Sequence, residues 1–511
     1  MNWGQFLKRR SLLWIGLAYL VSRLYALTLL PMFLDEAIHI RWGLRILDGG
    51  SLWQPWLHGR LLNVWVKALI LSWSQDFLWV SRAPSVLMGL ATLLLTYGIG
   101  NRLFGRGVGL LAAVLYAACP FTLFFDRMAL ADTYLSAFAA ATCYLCLRLR
   151  VEPRRRTAVL LGVAMALGAL AKATGAILFG VPVLAIAILR RQRACLRFVT
   201  LAYVVGLGLA GYPLWLFWAN TPLLAKTSLA SEASLSWSLF LSNLALSSRW
   251  LLEYWTPGLL LLAALALART VQEKCARRFL LACLCLAPIL LCALVSVHWY
   301  PRYLLPATVP FLVLCASALR DVMDWLRSRL RLRALVPAGA ALAVALVAPA
   351  ARLDFHLWFD PGAAPLPEAD RFAYIHGWPS GYAVADAVAF LRQELAAHPD
   401  GFLVVVPHAE IDATYRTVEL CARRDRRISL ERRDLAEPGA GLWLLERSLE
   451  RPVLVVLTPE LDRLPEGGTE ALWTYLGQSV ASTFKPDGRP WNDVYRVGSR
   501  VGSPVGATAT E

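Results

Sequence analysis

The fold class is set by the stretch KRRSLLWIGLAYLVSRLYALTLL, residues 8–30. Three basic residues precede about twenty mostly apolar ones, which is the length that an α-helix needs to cross a bilayer. A signal peptide has a shorter apolar core. We therefore expect this segment to be retained as a first membrane span.

Apolar runs of the same character recur along the first 350 residues. They predict ten further spans, near residues 82–101, 107–125, 130–147, 157–171, 174–189, 199–219, 255–268, 279–297, 303–319 and 335–350. The chain is 58% hydrophobic and 17% charged, whereas a soluble protein carries about 25% charged residues. The sequence predicts a polytopic α-helical membrane protein with about eleven spans.

Basic residues are distributed unevenly over the predicted loops. The segments on the N-terminal side of the membrane hold 23 Lys or Arg and four Asp or Glu. Such an excess marks the cytoplasmic side, so the N-terminus is expected in the cytoplasm and residues 351–511 outside it. Residues 1–350 carry 34 basic and 12 acidic residues. The net charge of +16 thus reflects membrane topology and gives no sign of nucleic-acid binding.

The chain is expected to divide into a transmembrane domain, 1–350, and a soluble domain, 351–511. A helical pattern at 383–397 and apolar runs at 402–407, 453–458 and 494–497 predict a small α/β fold for the soluble part. The long first outer loop has amphipathic stretches at 36–47 and 61–73, which predict helices on the membrane surface.

Polar side chains gather at the outer ends of the predicted spans. Charged groups near a membrane cost several kcal/mol unless they are paired or face water, so we expect these residues to share one cavity at the outer face. The candidate residues are Asp35, Glu36, His39, Arg60, Asp126, Arg127, Asp132, Lys172, His298, Tyr300, Arg302 and Tyr303.

Each candidate also has a purely structural interpretation. Asp35 and Glu36 could cap the helix that starts there, and Asp126 could form a local ion pair with Arg127. A lysine or arginine at a span end could instead reach the membrane interface. The seven histidines show no metal-ligand spacing. The sequence therefore predicts no metal site or other cofactor, although it leaves a divalent metal open.

Three segments in order resemble the protein O-mannosyltransferase / aminoarabinose (lipid A) transferase superfamily of GT-C-fold glycosyltransferases. They are LDEA at 34–37, FDRMALAD at 125–132 and HWYPRYLLP at 298–306. Residues 78–105 and 168–175 are similar too. HGWPSGY at 376–382 is similar to a stretch that follows the last span in some bacterial relatives, and we attach no role to it. The family's double proline after Lys is missing, and Arg60 stands in the place of that lysine.

The resemblance implies a GT-C fold, a sugar donor carried on a polyprenyl phosphate, and transfer to an acceptor on the outer face. Asp35 matches the family's acidic motif and is the candidate base, with Asp132 and Glu36 as partners. Arg302, Lys172 and Arg127 are candidates for the leaving phosphate, where negative charge develops. The other candidates would bind substrate or line the cavity. An acceptor oxygen that belongs to a phosphate would need no base.

Two other functions compete with the transferase. A transporter or flippase would carry ionisable residues or broken helices near the bilayer midplane, often in repeated halves. A scaffold would depend on its soluble tail and tolerate changes at Asp35 and Arg302. Charges at helix ends on one side favour the enzyme. The enzyme is expected in a bacterial inner membrane, with its tail in the periplasm. Its expected partners are the lipid donor, a lipid or protein acceptor and the bilayer. Nucleic acid is not expected as a partner.

Overall fold

The computed structural model describes residues 3–53, 59–189, 195–220, 236–296, 299–407, 413–437, 439–458, 476 and 479–498. The chain forms two compact units. One contains residues 1–29 and 42–367, and the other contains residues 30–41 and 368–511. The segment that carries Asp35, Glu36 and His39 thus belongs to the same unit as the C-terminal residues.

Most described residues lie in α-helices. Those before residue 360 are α1 (Trp3–Leu24), α2 (Leu34–Leu47), α3 (Leu61–Ile70), α4 (Phe77–Phe104), α5 (Arg106–Ala117), α6 (Pro120–Phe125), α7 (Ala131–Val151), α8 (Arg155–Ala171), α9 (Gly180–Leu189), α10 (Leu196–Asn220), α11 (Trp237–Tyr254), α12 (Thr256–Glu273), α13 (Ala276–Val295), α14 (Leu305–Arg329) and α15 (Leu332–Phe359). Two 3₁₀ segments, Ala173–Phe179 and Pro301–Leu304, precede α9 and α14.

Each of the eleven predicted spans overlaps a helix, although α1 ends at Leu24, before the predicted end of the first span at residue 30. Five of the described helices are long and apolar enough to cross a membrane, or six if α11 and α12, which meet at a 110° bend, count as one broken span. The number of spans therefore stays a prediction. The segment 107–125 is not one helix, because Pro120 starts a new helix, α6, after α5 has ended at Ala117. Proline favours the first turn of a helix because it lacks the backbone N–H.

Helix α14 is the most enclosed of the five long apolar helices in the first unit. In the most apolar stretch of 18 residues within 301–329, 89% of the residues are buried. The corresponding share in α15 is 11%. Helix α14 packs against α5, α7, α12 and α13. A helix that is apolar all round suits such a central place, and it gives a rigid support to the residues just before it, Tyr300–Tyr303.

The second unit contains a five-stranded mixed sheet. Its C-terminal elements are α16 (Glu368–Arg371), α17 (Val384–Ala397), β1 (Phe402–Val406), α18 (Ala413–Arg424), β2 (Ile428–Arg432), α19 (Ala440–Glu450), β3 (Val453–Leu457), β4 (Ser479–Phe484) and β5 (Pro490–Arg496). The strand order is β2-β1-β3-β5-β4. Strand β1 is parallel to β2 and β3, and β5 is antiparallel to β3 and β4.

Strands β1 and β3 are buried along their whole length. Val404 and Leu454 pack on one face of the sheet with α17 and α18, whereas Leu403 and Val453 pack on the other with α19. Strands covered on both faces are continuously apolar, and such runs mark these strands in the sequence. The more polar strands β2 and β4 give no such signal.

Candidate functional site

The candidate site in the first unit is built at the ends of helices. Asp132 lies in the first turn of α7, and Lys172 is an extended residue between α8 and the 3₁₀ segment that leads to α9. Arg302 lies in the short 3₁₀ segment that starts at Pro301 and continues into α14. Helix ends bring charged side chains to one level of the bundle while their apolar helices pack below.

These three side chains form one buried ionic cluster. The Lys172 ammonium donates to Asp132 Oδ1 at 2.6 Å, and Arg302 Nε lies 3.9 Å from Asp132 Oδ2. All three side chains are 10% exposed or less. Among the three there are two cations for one carboxylate. Both cations are side chains that can bind a phosphate.

Two tyrosines hold the cations from the side. The Lys172 Nζ atom lies 3.6 Å from the centre of the Tyr303 ring, and the Arg302 guanidinium lies 4.6 Å from the centre of the Tyr300 ring. The two rings meet edge to face at 5.7 Å. Such cation–π contacts stabilise a desolvated cation. Tyr300 and Tyr303, both predicted as site residues, are therefore brought together with Lys172 and Arg302.

The backbone places Arg60 next to Lys172. The carbonyl of Gly59 accepts a hydrogen bond of 2.9 Å from the N–H of Ala173. Gly59 has a φ of +64°, and a Cβ there would lie 2.9 Å from the Cβ of Ala173. Only glycine suits both conditions. Arg60 follows it and precedes the first turn of α3, so the backbone of the first loop lies beside Lys172, and a role of Arg60 in the site stays a prediction.

A buried lysine that the sequence reasoning missed lies on the same helix. Lys67 is fully buried, and its ammonium donates to the Asn63 side chain and, at 3.1 Å, to the carbonyl of Ala129. Helix α3 therefore fixes the turn that precedes Asp132. A lysine four residues after an asparagine in an apolar helix was the available signal, since both would share one face.

An apolar groove extends from the cluster. It is a cavity of about 280 Å³ between α7, α9, α13 and α14. At one end it is lined by Asp132, Lys172, Thr174, Ser296 and Tyr303. The other lining residues are mainly apolar, and they include Leu135, Ala139, Cys143, Leu184, Leu284, Pro288 and Pro310.

The polar residues of the groove occupy one end of it. Asp132 starts α7 and Cys143 follows eleven residues later, which corresponds to about 16 Å along the helix. Ser296 follows the last turn of α13, whereas Leu284 lies more than two turns earlier. The groove thus offers the Lys172 ammonium at one end and apolar side chains along its length. This combination suits a lipid with an anionic head.

Asp126 and Arg127 have structural partners instead of one another. The Asp126 carboxylate accepts hydrogen bonds from Tyr19 at 2.9 Å and Tyr116 at 3.1 Å. Arg127 donates to the carbonyls of Ser22 and Ala26, both at 2.8 Å. These bonds tie α1 to the segment between α6 and α7. Arg127 therefore does not form a local ion pair with Asp126. A role of either residue in substrate binding stays a prediction.

Three predicted residues lie in the second unit, at the start of α2. Glu36 is buried, and its carboxylate accepts a hydrogen bond of 3.1 Å from the Phe33 N–H, which is one half of a capping box. His39 is also buried, while Asp35 is partly exposed. The capping interpretation thus applies to Glu36 and leaves Asp35 as the acid with access to solvent.

His298 lies outside the described residues. Within the described ranges, no group of three His, Cys, Asp or Glu residues could hold a metal ion.

Asp132→Ala is expected to destabilise the protein by about 3–5 kcal/mol, because it would remove the carboxylate to which the buried Lys172 ammonium donates. The measurement is thermal unfolding of the purified protein in detergent. Asp324→Ala is the matched control, since Asp324 pairs with Arg320 at 2.8 Å where both side chains are about half exposed. Exposed pairs contribute less than about 1 kcal/mol. Equal shifts for the two variants would contradict the buried cluster.

Comparison with known proteins identifies the fold. Residues 58–218 match the family model described as dolichyl-phosphate-mannose-protein mannosyltransferase. No curated protein sequence matches the chain significantly.

Among solved structures, ArnT from Cupriavidus metallidurans in the apo state matches with a TM-score of 0.58 and 15% identity, covering 95% of this chain and 97% of that chain. ArnT bound to undecaprenyl phosphate gives the same score and identity over 96% and 98% of the two chains. AglB, the oligosaccharyltransferase of Archaeoglobus fulgidus, in complex with an inhibitory peptide and a dolichol-phosphate, matches at 0.56 and 13%, over 96% and 74%. The chain therefore has the fold of the GT-C glycosyltransferases, and the resemblance found in the sequence is confirmed.

Proposed function

We propose that this protein is a membrane glycosyltransferase that moves a sugar from a polyprenyl-phosphate donor to a lipid or protein acceptor. The observation that carries the proposal is the Lys172–Asp132–Arg302 cluster, of which Lys172 and Asp132 line one end of an apolar groove. A polyprenyl phosphate has the complementary form, an anionic head on a long hydrocarbon. The fold shared with ArnT, which has been crystallised with undecaprenyl phosphate, supports the same ligand class.

The reaction is a displacement at the anomeric carbon of the sugar. The bond from this carbon to the donor phosphate oxygen breaks, and the phosphate leaves with the electron pair. A new bond forms to the acceptor oxygen, whose proton passes to the Asp35 carboxylate. Arg302 and Lys172 stabilise the charge that develops on the departing phosphate. Arg302 suits two parallel contacts to phosphate oxygens, while Lys172 acts as a point charge.

The remaining predicted residues take supporting roles in this proposal. Asp132 orients Lys172 and Arg302, and Tyr300 and Tyr303 hold the same cations, with the Tyr303 hydroxyl as a donor to the head group. Arg60, beside Lys172 in the backbone, is proposed to bind the donor head group. Glu36 shapes the acidic turn. His39, Asp126, Arg127 and His298 are proposed as lining or orienting residues on the strength of the sequence resemblance.

The topology remains part of the proposal. Eleven spans, a cytoplasmic N-terminus and a periplasmic C-terminal domain in a bacterial inner membrane agree with the excess of basic residues in alternate loops. The acceptor would then be met on the extracytoplasmic face. A transporter has less support, because the charges of the cluster lie at helix ends and not at the middle of broken helices.

Thermal unfolding in the presence of lipids tests the ligand class. Undecaprenyl phosphate is expected to stabilise the purified protein, by about 2.7 kcal/mol at a concentration a hundredfold above its Kd. Undecaprenol, which lacks the phosphate, and phosphatidic acid, which lacks the polyprenyl chain, serve as controls. Stabilisation by all three lipids alike would contradict a site for polyprenyl phosphate.

Ala139→Phe is expected to weaken the binding of undecaprenyl phosphate about tenfold. Ala139 lines the groove, and a phenyl ring would exclude about two methylene groups of the lipid, each worth about 0.8 kcal/mol. Isopentenyl phosphate has one isoprene unit and is shorter than the distance of about 10 Å along α7 from Asp132 to Ala139, so its binding should be affected less. Ala141→Phe, on the same helix but outside the groove, is the matched control, and both affinities are measured by lipid titration. Equal losses for the two lipids would count against the groove.

A further inference from the structure

A buried lysine holds together the loop of residues 377–382, to which the sequence analysis attaches no role. Lys485 lies in the turn between β4 and β5 and is 2% exposed. Its ammonium donates to the carbonyls of Gly377, Ser380 and Tyr382 at 3.2, 3.1 and 3.0 Å. The Trp491 ring lies 4.1 Å from the same nitrogen. A lysine has three N–H donors, and three carbonyls accept here, so a buried charge is compensated by the loop that it holds.

The loop also has its own internal bonds. The Ser380 hydroxyl, which is fully buried, donates to the carbonyl of Ile375 at 2.7 Å, and the N–H of Tyr382 donates to the Ser380 oxygen at 3.2 Å. The N–H of Gly377 donates to the carbonyl of Phe372 at 2.7 Å. With Lys485 on its carbonyls, the loop therefore has one defined conformation.

This loop contacts the chain directly before Asp35. The N–H of Leu34 donates to the carbonyl of Pro379 at 3.0 Å, and the rings of Phe33 and Tyr374 lie 4.5 Å apart. Gly381 packs on Met32 so closely that a Cβ would lie 2.2 Å from the Met32 carbonyl oxygen. The loop thus contacts Met32 and Leu34, and Tyr374, which precedes the loop, contacts Phe33 between them.

A second tie holds the other end of the same segment. Arg41 Nε lies 2.6 Å from Glu419 Oε1, on helix α18. Glu419 Oε2 in turn lies 3.1 Å from the buried guanidinium of Arg416. Residues 30–41 are therefore fastened to the C-terminal residues at both ends, which agrees with their place in the second unit.

We propose that Lys485 is a positioning residue for the acidic motif: it fixes the 377–382 loop, and the loop fixes the backbone from Met32 to Leu34 and hence the direction of Asp35. The inference rests on the proposed function for its effect on catalysis, and it gives the C-terminal domain a role in the reaction. A catalytic group must be held within about 0.5 Å of its productive position. A displacement of about 1 Å can cost on the order of 10²-fold in rate.

The test compares hydrogen exchange and turnover in the full-length protein. Lys485→Met keeps the length of the side chain and removes the charge and the three donors. We expect the Leu34 amide to exchange about tenfold faster or more, turnover to fall on the order of 10²-fold, and the affinity for undecaprenyl phosphate to stay unchanged. Val456→Ala, in the sheet core and away from the loop, is the control for a general loss of stability.

A second variant keeps the test decisive if Lys485→Met does not fold. Gly381→Ala leaves Lys485 in place and forces the loop away from Met32, so it should give the same two effects. The proposal is overturned if Leu34 exchanges no faster in the folded variant than in Val456→Ala. If the Leu34 amide of the variant exchanges faster but the variant turns over at the wild-type rate, the proposed effect of Lys485 on catalysis is overturned. A wild-type protein that transfers no sugar would overturn the proposed function instead, while the exchange result would still decide whether Lys485 fixes this backbone.

Discussion

Arg302→Ala is expected to lower the rate of sugar transfer by about 10²–10³-fold, the cost of removing one preorganised donor from a developing negative charge. Arg302 is 5% exposed and lies 3.9 Å from Asp132 and against the Tyr300 ring, so its guanidinium is already in place before the phosphate departs. Turnover can be measured as polyprenyl phosphate formed in membranes that contain the native acceptor.

Arg278→Ala is the matched control for this variant. Arg278 is similarly buried, and it pairs with Asp321 at 2.5 Å and Glu273 at 3.0 Å near the junction of α12 and α13. It should cost comparable stability and leave the transfer rate of the folded protein intact. Arg302→Lys keeps the charge but loses the planar fork, so an intermediate rate is expected. Equal rates for Arg302→Ala and Arg278→Ala would refute the role of Arg302.

Asp35→Asn should reduce turnover by about 10²–10⁴-fold, the usual contribution of a general base. The amide has the shape of the carboxylate but does not accept the proton. Because Asp35 is partly exposed, its substitution by Asn should cost little stability, and the affinity for the donor should be preserved. The expected signature is a low kcat with an unchanged KM for the donor.

Two further variants separate Asp35 from its neighbours. Glu36→Gln keeps an oxygen for the Phe33 N–H, so it should retain most activity. Asp76→Asn keeps the cap of α4, where Asp76 accepts from the Trp79 N–H at 3.0 Å, and it should behave as wild type. A wild-type kcat in Asp35→Asn would rule out Asp35 as the general base. That result is expected if the attacking oxygen of the acceptor belongs to a phosphate.

The positions of the helices could be predicted because apolar runs of sufficient length have few alternatives in a membrane. The interruption at Pro120 was missed because the residues around it are as apolar as the helices themselves. Strands β1 and β3 coincide with apolar runs and the end of β5 overlaps the predicted run at 494–497, whereas β2 and β4 are partly exposed and carry polar residues. Burial, which a single sequence reveals only through hydrophobicity, decided which strands could be recognised.

The members of the ionic cluster were predicted from the sequence, but their pairing was not. Lys172 and Asp132 are 40 residues apart, and Arg302 is 130 residues beyond Lys172, so no periodicity connects them. For the same reason the partners of Asp126, such as Tyr19, could not be foreseen. Residues 30–41 are attached to the C-terminal residues by the backbone hydrogen bond from Leu34 to Pro379 and by close packing at Gly381, besides the Arg41–Glu419 ion pair. Backbone contacts of this kind leave little trace in a sequence.

The most direct test is to identify the lipids that co-purify with Asp35→Asn and with Asp35→Asn/Arg302→Ala by mass spectrometry. The first variant should retain a donor that it turns over slowly. We predict that it carries a polyprenyl-phosphate sugar, whose mass identifies the sugar, and that the double variant is depleted of it. Bulk phospholipid alone on both variants, or equal amounts of the same polyprenyl lipid, would contradict a donor phosphate bound by Arg302.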